Sequence, residues 1–104
     1  MKTQPPPPAA LRDPQSMEMA RIWIAEQGQH CSLQVGMYAT DGVESEIAAW
    51  GMILADLTHH IASALEAEGL GAKVDLKQRI AAAFQVEVAA PTTDHATTPG
   101  SGAN

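Results

Sequence analysis

The sequence predicts an α+β domain: a β-hairpin packed on a long helix that is followed by a shorter helix, in the order ββαα. Three observations carry this reading. Val43, Ile47, Trp50, Leu54, Leu57, Ile61 and Leu65 recur at steps of four and three, which is one face of an amphipathic helix. Residues 30–38 alternate, with Cys31, Leu33, Val35 and Met37 on one side and His30, Ser32, Gln34, Gly36 and Tyr38 on the other, which is the period of a half-buried strand. Leu76, Ile80, Phe84 and Val88 then repeat at steps of four, giving a second helix.

The hairpin spans Met17 to Tyr38. Its first arm, Met19 to Ala25, is rich in β-branched and aromatic residues, and Glu26-Gln27-Gly28-Gln29 forms the turn. A two-residue loop at Gln27-Gly28 would use glycine for the positive φ that a tight hairpin needs. That register sets Ile24 opposite Cys31 and Ile22 opposite Leu33, so the four share one face. Trp23 then falls on the other face with Arg21 and Ala25. There it is either a partly covered surface residue or a contact for another chain. A lone two-stranded hairpin is marginal in water and its edges are open templates. Edge pairing into a four-stranded sheet across a homodimer would answer both problems.

The long helix is well punctuated. Asp41 is placed as N-cap with Glu44 three residues on, a capping-box pattern. Gly69 is placed as the left-handed residue after its end. The helix so bounded has about 25 residues and is nearly 40 Å long at about 1.5 Å per residue. Beside the main stripe, Gly51, Ala55, Thr58 and Ala62 form a small-residue flank, and Ala49, Ile53, His60 and Ala64 form another. Only Ser45, Asp56, His59, Ser63 and Glu66, with Met52 among them, make a polar strip. A helix so apolar around its circumference is covered on more than one side. Trp23, Met52 and Ile53 are the candidate subunit contacts. The shorter helix is expected to start after Asp75 as N-cap and to end before Pro91. The alternating Gln85–Ala89 piece would also suit a short strand, with helix preferred.

The 104 residues allow one small domain. Residues 1–16, with four consecutive prolines at Pro5–Pro8, and residues 91–104 lack core-forming side chains. Both are expected to be disordered, which leaves residues 17–90 as the domain. A core that small rarely supplies more than about 3–5 kcal/mol, so excellent packing or a second chain is expected. Net charge is −6, with 6 Lys+Arg scattered among 12 Asp+Glu. No basic stripe exists to track phosphates or an anionic membrane surface, so neither nucleic acid nor membrane is an expected partner. No apolar run reaches membrane-spanning length. No apolar segment follows Lys2 as in a signal peptide, and Cys31 stands alone. A cytoplasmic location is the default.

Candidate chemistry centres on Asp56, His59 and His60. Asp56 and His60 share a helix face, a spacing at which two ligands can hold a metal. Yet adjacent histidines point about 100° apart, and no third ligand is evident, so a solvated Asp–His hydrogen bond is the simpler account. Asp56, His59 and Ser63 match the residue types of a hydrolytic triad, but one exposed helix face offers neither oxyanion donors nor a pocket. His30 and Cys31, neighbours in a strand, point to opposite faces. No phosphate loop or dinucleotide fingerprint is present, and no cofactor is implied.

Met19–Ala25, His30–Tyr38, Ala49–Asp56 and His60–Ala62 together resemble a family of small alphaproteobacterial proteins that carry a domain of unknown function. The resemblance covers about residues 17–90. It implies a small, soluble α+β domain and brings no activity, cofactor or catalytic residue. The leading functional expectation is a non-enzymatic protein-interaction or regulatory module acting as a homodimer, alongside a protein partner the sequence does not name. A small-ligand or metal-binding protein using Asp56, His59 and His60 comes second, and an enzyme third.

Overall fold

A computed structural model of the chain describes residues 3–93 and 95–99. The elements run α1 (Pro8–Arg12), β1 (Ala20–Ala25), β2 (Gly28–Leu33), a single 3-10 turn (Ala39–Asp41), α2 (Val43–Ala67), α3 (Lys73–Ala89) and β3 (His95–Pro99). This is the expected α+β arrangement with additions at both ends. The proline-rich arm contains the one-turn helix α1, with Pro8 at its first position, where a missing N–H costs nothing. The tail contributes β3, which pairs parallel to β2 and makes a three-stranded sheet in the order β1-β2-β3.

β1 and β2 form the hairpin, but two residues away from the expected register. Ile22 lies opposite Cys31, Ile24 opposite Gln29 and Trp23 opposite His30. The turn is Glu26-Gln27, both at positive φ (51° and 64°). Gly28 sits in the strand and is buried. A shift of two preserves which residues share a face, because side chains alternate with period two. Alternation therefore could not tell one register from the other. The second arm is also shorter than expected. After Gln34, whose N–H donates to the Met19 carbonyl at 2.9 Å, Gly36 at φ 93° turns the chain out of the sheet.

Helix α2 starts at Val43 with Gly42 as its N-cap at φ 106°, and no side chain caps it. Asp41 lies in the preceding 3-10 turn, so the anticipated capping box does not form. Glu44 and Glu46 still place negative charge at the positive end of the helix dipole. The C-terminus is as anticipated. Gly69 takes φ 77°, its N–H donates to the Glu66 carbonyl at 2.9 Å, and the Leu70 N–H donates to Leu65 at 3.0 Å. This is the paired Schellman closure.

Helix α3 starts at Lys73, two turn positions before the expected cap, and Asp75 falls within its first turn. The reason lies in α2: the Glu66 carboxylate accepts the Lys73 N–H at 2.9 Å, satisfying a donor that a local cap would otherwise serve. Residues 85–89 are helical. At the end of α3, Glu87 accepts both the N–H and the hydroxyl of Thr92, at 3.0 and 2.6 Å.

Packing within the chain is sparse. Ala62 is the one fully buried apolar residue among those described. It belongs to the small-residue flank of α2, the helix on which α3 packs. No Cα of the strands comes within 8 Å of a Cα of α2 or α3. Ile22 and Ile24, on the face expected to be covered, are 54% and 75% exposed, whereas Trp23, expected on the open side, is half-buried.

A Cβ at Gly69 would meet nothing within 4 Å, so substitution there tests backbone conformation alone. Gly69→Ala should destabilise the fold by about 1 kcal/mol. Thermal melting at fixed protein concentration should show a fall of about 4–8 °C, with a smaller fall for Gly69→Asn.

Candidate functional site

The features able to carry function are an apolar groove and a carboxylate latch. The groove lies between α2 and α3 and has a volume of about 410 Å³. Leu54, Leu57 and Ile61 of the main stripe form one wall, and Ile80 and Phe84 of α3 form the other. Their spacing of three and four keeps each set on one helix face. Gly51, Ala55 and Thr58 line its floor. The Thr58 hydroxyl donates back to the Leu54 carbonyl at 3.0 Å, so it adds little polarity to the groove. Phe84 also lines a second hollow, with Gln29 of β2 and His95 of β3. The apolar surface of the helices thus leads towards the sheet without being closed by it.

Above the groove the stripe stays uncovered. Ile47 is 58% exposed, and Val43 is exposed as well. Across the circumference Met52 is 67% exposed, while Ile53 is half-buried. Trp23 lines a shallow hollow with Thr3 and Gln4 of the N-terminal arm and with Ile22. Neither Met52 nor Ile53 lines that hollow.

The latch is Glu46, in the first turn of α2. Its carboxylate accepts the Gly36 N–H at 2.8 Å, the Tyr38 N–H at 2.9 Å and the Trp50 indole N–H at 2.8 Å. The backbone bond from Gly36, followed by those from Tyr38 and Trp50, holds its carboxyl below the usual range against an opposing desolvation. The i,i+4 spacing of Glu46 and Trp50 was the available signal, but the loop donors ten and eight residues upstream carry none in sequence. Glu87 is lowered in the same way by Thr92.

Asp56, His59 and His60 are all exposed on α2. Among the described residues no group of three His, Cys, Asp or Glu side chains is close enough to hold a metal ion. Among the described residues, Arg21 pairs with Glu18 at 2.7 Å and Arg79 with Asp75 at 3.6 Å. Such exposed pairs contribute little. No described helix is long and apolar enough to cross a membrane.

Because the folded carboxyl of Glu46 titrates below its ordinary value of 4.5, its stabilising contribution is complete above that value and is lost as pH falls through the lowered one. Glu46→Gln should therefore be less stable than wild type at pH 7, and the gap should narrow as pH is taken below 4. Paired melts across that range check this, with Trp50 emission reporting the loop.

The family model for a domain of unknown function, DUF5076, matches residues 3–92, and the chain belongs to that family. No curated protein matches it. A solved structure from the photosynthetic bacterium Rhodopseudomonas palustrus CGA009, described as a candidate pyruvate dehydrogenase, is similar over 90% of each chain with a TM-score of 0.64 and 22% identity. At that identity the likeness is one of fold.

Proposed function

We propose that this member of the DUF5076 family is a non-enzymatic interaction module that works as a homodimer, in the cytoplasm of an alphaproteobacterium. The observation that carries the reading is surface area. The chain exposes 8349 Å², about half as much again as the roughly 5,600 Å² expected of a compact monomer of 10.9 kDa. Its radius of gyration of 15.4 Å likewise exceeds the roughly 13 Å expected at this length. The N-terminal arm and the C-terminal tail contribute to that excess, and so do large apolar side chains on α2 and α3 such as Val43, Ile47, Met52 and Val86. Exposed apolar side chains of this kind are what association covers.

Gly51 supports the same reading. A Cβ there would meet nothing within 4 Å, so packing within the chain does not require a glycine in mid-helix, where it costs about 1 kcal/mol relative to alanine. An approaching second chain would require one. Trp23, Met52 and Ile53 are proposed as further contacts of the assembly, and the open outer edge of β1 could add backbone pairing.

Light scattering at micromolar concentration should return about twice the mass of 10.9 kDa; a monomer there would sink the proposal. Gly51→Leu should keep the helical circular-dichroism signal and lose the dimer, because its side chain enters the groove and not a packed core. Trp23→Ser should weaken association about tenfold in sedimentation equilibrium, the effect of roughly 1.4 kcal/mol.

A further inference from the structure

The dimer reading leaves open which part of the second copy fills the groove. Two grooves cannot fill each other. Set face to face, two hollows of about 410 Å³ each would leave a void that close-packed interiors do not tolerate. The occupant must be a ridge, and it must be apolar, because each copy carries net charge −6 and like charges repel across an interface.

The hairpin meets both requirements. Ile22 and Ile24 stand on one face of β1, two residues or about 7 Å apart, and are 54% and 75% exposed. Cys31 lies on the same face, opposite Ile22. The hairpin does not fill its own groove, which is lined by residues of α2 and α3 alone. Its sequence nevertheless has the alternation of a strand with one covered face. An apolar ridge and an apolar groove on one chain, each uncovered, complete each other twice under two-fold symmetry.

We propose, resting on the dimer reading above, that the Ile22–Ile24 face of each hairpin seats in the α2–α3 groove of a second copy of this chain, against Leu57, Ile61 and Phe84. The exchange is reciprocal and buries both surfaces at once. It also explains why the stripe of α2 has the pattern of a sheet-packed helix although its own sheet does not close on it.

Disulfide trapping tests this arrangement. In a Cys31→Ser background, Ile24→Cys and Ala81→Cys are introduced singly and together; both positions are exposed, so the fold should tolerate them. An intrachain bridge between them is barred, because cysteines more than about 7 Å apart at Cα cannot join and these two exceed 8 Å. On mild oxidation most of the double variant should run as a covalent dimer, and neither single variant should. Cross-linking of Ala81→Cys alone as readily would mean that the grooves face each other, overturning the proposal. A dimer by light scattering with no cross-link in the double variant would overturn the hairpin placement and leave the dimer standing. A monomer would remove both.

Discussion

The structure depends on one constraint: α2 carries more apolar surface than its own chain can cover. A 25-residue helix with aliphatic side chains around most of its circumference needs cover along its whole length. The chain supplies α3, and the 3-10 turn near the N-terminal end. The rest of the stripe faces solvent. In water that exposure is unfavourable by about 25 cal/mol for each Å² of apolar surface left uncovered. The other parts of the molecule are arranged around this imbalance.

The polar interactions serve to place elements where no core can. Glu46 gathers the loop after β2 through two backbone N–H groups and fixes the Trp50 indole. Glu66 joins the end of α2 to the start of α3 through the Lys73 N–H. Glu87 fastens the segment after α3 through Thr92. Three carboxylates thus do at the element boundaries what apolar contacts do in a larger domain. Charged acceptors suit this work, since hydrogen bonds to ionised groups are roughly twice as strong as neutral ones. The acidic balance of the chain therefore has a local structural meaning.

The candidate site was only partly visible in the sequence. The groove walls were legible, since Leu54, Leu57 and Ile61 follow from helical spacing and Phe84 from the second period. The small floor at Gly51, Ala55 and Thr58 was legible too. The latch was not, because its donors are backbone groups of a loop whose path depends on Gly36 at φ 93°. The exposure of Ile22 and Ile24 was not visible either. Alternation tells which side chains share a face, and says nothing of whether the chain itself covers that face.

By itself the sequence determined the element types, the long helix and its closure at Gly69, the faces of the hairpin, and the surplus of apolar residues on α2. These follow from periods of 3.6 and 2 and from the backbone freedom of glycine, all local properties. Only the tertiary structure decided the hairpin register, the early start of α3, the recruitment of His95–Pro99 as a third strand, and the exposure of Ile22 and Ile24. Each of those depends on partners far apart in the chain. Register slips by two leave the alternation unchanged, a helix start moves when Glu66 supplies its cap, and a tail joins a sheet wherever β2 leaves an edge free.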